Sequence, residues 1–171
     1  FCIFATAPSM DGFASDTAPI IENNFKNSFF VEQPEIIIAD TKVLAKAPLE
    51  LKAAGFGDIV GKYTCLADWQ LSHIINGEPI HKEAFAMMEQ AREACMDAYE
   101  GLVRNESEAV EKLTSALLKA GLSMAMCGNS RPASGSEHHQ SHFLEMDFAR
   151  RGLPIPAHGV KVGLGTMLSL E

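Results

Sequence analysis

Cations are in short supply in this sequence. Fourteen Lys and Arg stand against 22 Asp and Glu, for a formal net charge of -8. That balance argues against binding nucleic-acid phosphates or an anionic membrane surface, both of which need clustered basic side chains. Long apolar runs are also missing. Nothing approaches the roughly 18 residues of a membrane span, and the opening FCIFATAPSMDGF lacks the basic leader and cleavage pattern of a signal peptide. Neither nucleic acid nor membrane is therefore expected as a partner. Cysteine is scarce and scattered. Cys2, Cys65, Cys95 and Cys127 form no C-x-x-C pair, which speaks against a disulfide framework or a four-thiolate zinc site and for reduced thiols in a cytoplasmic protein. What is present is ordinary globular material: 47% hydrophobic and 21% charged residues in a chain of 171, enough for one domain with a real core. The ends are abrupt. The chain begins without Met in an apolar run and stops inside the apolar stretch 163–170, so it reads as a segment of a longer protein.

The patterning changes near residue 48. Phe1–Ala5 and Glu35–Ala39 are apolar runs of strand length bounded by Pro8, Asp11-Gly12 and Pro34. Beyond Pro48 the apolar period is helical. A short helix is expected over 48–54, ended by Gly55; a second over Asp58 to about Ile75, stopping at Asn76-Gly77; a third over Lys82 to about Leu102. The next has Asn105 as its cap, Glu108 three residues on and a stripe of Val110, Leu113, Leu117 and Leu118, with Gly121 as terminator or kink. After the small-residue loop 128–135, Ser136 caps a helix to Arg150, and a last helix starts near Gly159. Fold class is mainly α with a small β portion at the front.

Histidine is concentrated. Four of six, His138, His139, His142 and His158, fall within 21 residues. His138 and His142 share a helical face, whereas His139 lies about 100° round. A third ligand would complete the three-protein-ligand pattern of a catalytic metal site, and Asp58, at a helix start after Gly55-Phe56-Gly57, is the best candidate. On spacing alone a second reading stands beside it: two core or surface histidines and a helix-terminal acid favoured by the dipole. By the same standard Asp11 reads as a turn residue, Lys62 as a solvated or paired cation, and Arg131 as a weak candidate for an oxyanion.

Four stretches carry a resemblance: TAPSMDGFAS at 6–15, AGFGDIVGKY at 54–63, RPASGSEHH at 131–139 and HGVKVG at 158–163. In this order and spacing they resemble the sn-glycerol-1-phosphate dehydrogenases, within the superfamily of iron-type alcohol dehydrogenases, glycerol dehydrogenases and 3-dehydroquinate synthase. The resemblance implies a two-domain, dehydroquinate synthase-like fold. Residues 1–47 would be the end of the nucleotide-binding α/β domain and 48–171 the all-helical metal- and substrate-binding domain, truncated at its C-terminal end. It implies a divalent metal on Asp58, His138 and His158 (Zn2+ or Ni2+ ahead of Fe2+), with Asp11, Asp58 and His142 toward the substrate. Asp58 and His142 would be the catalytic pair. Thr6, Ala7, Pro8, Ser9 and Ser15 would lie along NAD or NADP. The implied reaction is reduction of dihydroxyacetone phosphate to sn-glycerol 1-phosphate in a cytoplasmic homodimer, the small phosphorylated triose being its partner. The metal would polarise the ketone oxygen, and His142 or a water it holds would return the proton. Alternatives are a dehydrogenase of unphosphorylated glycerol, or a non-catalytic metal-binding helical fragment.

Two departures accompany the resemblance. The glycine-rich dinucleotide loop is absent from these residues, and Gly55-x-Gly57 lacks the preceding strand and third glycine to replace it. A polypeptide of these residues alone is thus expected to bind metal but to hold NAD(P)H poorly. Val160 stands where relatives often place Glu, and is expected to affect packing or a contact behind the ligands.

Overall fold

The computed structural model describes residues 1–23 and 25–171. Two small sheets lie at the front. β1 (Cys2–Phe4) and β4 (Ile36–Ile38) pair in parallel, Cys2 opposite Ile36 and Phe4 opposite Ile38. These are the two apolar runs of the sequence. Between them β2 (Thr17–Glu22) and β3 (Phe25–Phe30) pair antiparallel, Thr17 opposite Phe30. The periodicity did not reveal this pair. Pro19 and the polar Lys26-Asn27-Ser28 interrupt the alternation that marks a strand, and the surviving signal was the Asn23-Asn24 dipeptide between two apolar segments.

Among the described residues eight α-helices follow: α1 (Thr41–Leu44), α2 (Leu49–Val60), α3 (Lys62–Asn76), α4 (Lys82–Asp97), α5 (Tyr99–Val103), α6 (Ser107–Cys127), α7 (Ser136–Arg150) and α8 (His158–Ser169). α2, α3, α4 and α6 surround a core that includes Ile59, Leu66, Trp69, Met88, Cys95, Val110, Leu113 and Leu117. The stripe expected on α6 is buried: Val110, Leu113 and Leu117 are each 0% exposed. Each such side chain contributes about 1.5–3 kcal/mol by leaving water. All four cysteines are free, Cys65 and Cys95 within the core.

Several helix ends differ from expectation, and packing explains each. α2 does not stop at Gly55. It continues to Val60, because a side chain at Gly55 would strike the carbonyl of Pro8; glycine there admits the 6–15 loop against the helix. Asp58 is therefore in the last turn of α2, not the first turn of the next helix. Gly121 neither ends nor kinks α6; a Cβ there would collide with Ala14, in the 3-10 turn Gly12–Ala14 that lies across the helix. Glu106, not Asn105, occupies the N-cap position of α6. Asn105 adopts φ +59 and accepts a hydrogen bond from Lys52. The third expected helix is divided at Ala98 into α4 and α5. α7 begins with Gly135 rather than Ser136 at its N-cap. The stop at Asn76-Gly77 is as read, Gly77 closing α3 in the left-handed conformation at φ 70.

Glycine also decides how α2 meets α8. A Cβ on Gly57 would strike the carbonyl of Gly159, and one on Gly159 the carbonyl of Ala54. The two backbones touch, bringing the end of α2 and the start of α8 together. None of the helices is long and apolar enough to cross a membrane.

Candidate metal centre and substrate pocket

That contact places Asp58, from the last turn of α2, beside His158, the first residue of α8. His138 enters from the first turn of α7. One ligand atom from each of Asp58, His138 and His158 falls within 4.8 Å of the other two. The rings of His138 and His158 lie 5.2 Å apart between centroids, and His138 Nε2 is 3.8 Å from Asp58 Oδ1. A carboxylate and two imidazoles converging at this spacing are a donor set that a divalent ion fits. His142, one turn beyond His138, has its ring 6.3 Å from it. His139 points outward and is exposed. Helical geometry selected the same pair.

Two further side chains organise the triad. Glu137 Oε1 accepts from Nδ1 of His138 at 2.7 Å and from the Gly135 amide at 2.8 Å. Its Oε2 accepts from the Thr64 hydroxyl at 2.5 Å. With Nδ1 so held, Nε2 of His138 is the nitrogen left for the centre, the carboxylate–histidine arrangement that orients metal ligands. Burial opposes ionisation of Glu137, yet these hydrogen bonds and the His138 ring hold its carboxyl below the usual range. The sequence reading missed Glu137; its position next to His138 was the available signal.

Lys62 is the second. Read as a solvated or paired cation, it is paired but wholly buried, with 0% exposure. Its Nζ donates to Asp11 Oδ2 at 2.9 Å, Asp58 Oδ1 at 3.1 Å and Ala133 O at 2.8 Å. The Asp11 amide in turn donates to Asp58 Oδ2 at 3.0 Å. Burial works against every charge in this group. Asp11 and Asp58 nevertheless hold the Lys62 ammonium above its ordinary value, and Lys62, His158 and His138 hold Asp58 below its own. Asp11 is thus tied into the centre, not merely a turn residue.

The centre opens on a cavity of about 340 Å³ whose walls include Asp11, Ser15, Lys26, His138, His142, Glu145, His158 and Lys161. Lys26 and Ser28 come from β3, so the strand pair that escaped sequence reading forms one wall. Burial foremost, with the charges of Lys26 and the neighbouring histidines adding to it, lowers His142 to about 4. Burial likewise lowers His158, partly offset by Asp58. Both imidazoles are therefore neutral at physiological pH, the state a ligand or hydrogen-bonding imidazole requires.

The remaining sequence candidates fall at different places. Ser15 reaches the cavity, its hydroxyl 2.9 Å from that of Thr17. Thr6, Ala7, Pro8 and Ser9 lie on the loop from β1 toward α2 and do not line the cavity; Thr6 is exposed and Pro8 buried. Arg131 is no oxyanion site: its Nε and one terminal nitrogen grip the Glu78 carboxylate at 3.0 and 2.9 Å. Val160 is half-exposed, at 48%.

Comparison with known proteins bears on the family rather than on this geometry. Residues 1–48 match the family model described as iron-containing alcohol dehydrogenase. A glycerol-1-phosphate dehydrogenase [NAD(P)+] of Halalkalibacterium halodurans is 45% identical over 168 residues, covering 98% of this chain and 42% of that protein. One from Geobacillus thermodenitrificans is 42% identical, covering 100% and 42%. Among solved structures, glycerol dehydrogenase from Schizosaccharomyces pombe shares the fold with a TM-score of 0.70 at 23% identity, over 99% of this chain and 43% of that one. The chain spans less than half the length of the curated relatives it matches. Along nearly its whole length the chain is similar in sequence to glycerol-1-phosphate dehydrogenases, and its first 48 residues to iron-containing alcohol dehydrogenases.

Proposed function

We propose that this chain supplies the metal- and substrate-binding part of an NAD(P)-dependent enzyme that reduces dihydroxyacetone phosphate to sn-glycerol 1-phosphate. In this reading residues 48–171 hold metal and substrate, and residues 1–47 complete the edge of a nucleotide-binding domain. The observation that carries it is the convergence of Asp58, His138 and His158, the two histidines lining one cavity with Asp11 and His142, in a chain 45% identical to a glycerol-1-phosphate dehydrogenase.

Asp58, His138 and His158 would hold the divalent ion; bound there, it supplies Lewis-acid polarisation of a ketone oxygen, while NAD(P)H supplies the hydride for C2. Glu137 keeps Nδ1 of His138 occupied, so that Nε2 faces the centre. Lys62 keeps Asp58 anionic and fixed through Nζ. His142, neutral near pH 7, can donate its ring N–H to the substrate and relay a proton to the C2 oxygen, taking one from water at its other ring nitrogen as it gives one up.

The test is turnover by the complete gene product with either nicotinamide cofactor, comparing dihydroxyacetone phosphate with dihydroxyacetone, alongside metal analysis. Preferential reduction of the phosphorylated ketone, lost on chelation and restored by a divalent ion, is the expected result. Preference for the unphosphorylated ketone would transfer the assignment to a glycerol dehydrogenase, and absence of both metal and turnover would leave a non-catalytic module.

A further inference from the structure

One group of charges in the cavity has no part in the metal centre. Lys26 on β3 and Lys161 on α8 both approach the same oxygen of Glu145 on α7, at 2.8 and 3.4 Å. Their side chains are 6% and 5% exposed, unusual for lysine, and both line the cavity that also holds His138, His142 and His158. We propose that Lys26 and Lys161 form an anion subsite that takes the phosphate of a phosphorylated three-carbon ketone. The chemistry at the ketone end rests on the function proposed above; the subsite itself does not.

Charge balance points this way. Burial opposes ionisation of Glu145, but Lys26 and Lys161 hold its carboxyl below the ordinary value. Two ammonium groups and one carboxylate leave a net positive charge inside a cavity, where a dianion gains more than it would at the surface. Donors remain as well. Lys26 gives one hydrogen bond, to Glu145, so two of its N–H groups are uncommitted among the described residues. Lys161 gives one to Pro156 O at 2.8 Å besides its contact with Glu145, leaving a third N–H.

Placement supplies the second argument. Glu145 follows His142 by three residues on α7, and Lys161 follows His158 by three on α8. On each helix the ionic group thus lies close to one turn, about 5 Å, beyond an imidazole of the centre and on the same face. The cavity therefore has an imidazole end suited to a carbonyl oxygen and an ammonium end suited to a phosphate, separated on the scale of a triose. A substrate without phosphate would leave the ammonium end unsatisfied, which is how a buried polar subsite discriminates.

The experiment uses the complete gene product and reads the subsite in two independent ways. Inorganic phosphate is titrated against wild type, K26M, K161M and the charge-balanced double variant K26M/E145Q, followed by 31P NMR, with circular dichroism and bound metal checked for each. Wild type should bind phosphate competitively with the phosphorylated ketone. Each lysine variant should weaken that binding by roughly 10- to 150-fold, the worth of a hydrogen bond to a charged group, while K26R retains most of it. The ratio of kcat/KM for dihydroxyacetone phosphate over dihydroxyacetone should fall by a similar factor. Phosphate affinity equal in wild type and all variants, or a ratio unchanged because both ketones lose alike, would show a structural brace and overturn the subsite. Lysine-dependent phosphate binding in a protein that reduces neither ketone would keep the subsite and overturn the function.

Discussion

At the scale of single residues, the centre depends on groups that touch no substrate. Lys62 is the counter-charge of two buried carboxylates, Asp11 and Asp58. Lys62→Met should destabilise the metal-free protein by about 3–5 kcal/mol, the cost of leaving buried charge unpaired, measured by urea unfolding. Glu137→Gln puts an amide where a carboxylate now accepts from Thr64, Gly135 and His138. Metal affinity, read by competition with a chelator, should fall roughly 10- to 100-fold with the helices intact. His142 gives the pH dependence. Its folded value of about 4 lies below the ordinary 6.5, so the unfolded chain binds more protons between these values. Its contribution to stability is whole above about pH 6.5 and is lost as pH falls toward 4. Imidazole NMR should find His142 titrating near 4; a midpoint near 6.5 would refute the burial argument.

At the scale of elements, the meeting of α2 and α8 is the joint on which the site hangs. Asp58 and His158 are on different helices, and only glycine at 57 and 159 allows the backbones to touch. Gly159→Ala should cost about 1–3 kcal/mol through overpacking and, by separating the helices, weaken metal binding more than Gly128→Ala, although Gly128 stands in the left-handed conformation at φ +64. Thermal unfolding and metal titration of the two variants make the comparison. Much at this scale was legible beforehand. The helical period of the three long helices between residues 58 and 127, the stop at Gly77 and the shared face of His138 and His142 follow from period and turn chemistry, which act locally. The glycines of α2 and α6 were misread as terminators because a helix tolerates glycine when another backbone needs the space. A sequence lists the glycine but not what lies against it.

At the scale of the whole molecule, stability is uneven. The helical core holds Leu113, Leu117 and Met88 at 0% exposure, while Phe25 and Phe30 on β3 are 71% and 81% exposed. Two-stranded sheets are marginal without packing on both faces. Amide hydrogen exchange should therefore be fastest in β1 to β4 and slowest in α4 and α6. Equal protection across sheets and core would contradict this. The unevenness bears on the site, since one cavity wall is β3.

What the sequence by itself determined was the helical class, the strand runs at either end of the first 40 residues, and the identity of Asp58, His138 and His158 as a candidate set. The first two arise from short-range periodicity, and the third from a helical face joined to a family resemblance. Tertiary structure alone decided that Asp58 ends a helix rather than starting one, that Lys62 is buried between two carboxylates, and that Glu137 orients His138. It also decided that Lys26 from β3 meets Glu145, 119 residues away, inside the same cavity. Each of these is a contact between segments remote in the chain. Such contacts are set by which backbones can approach and which charges must be paired once water is excluded, and neither condition exists until the helices have packed.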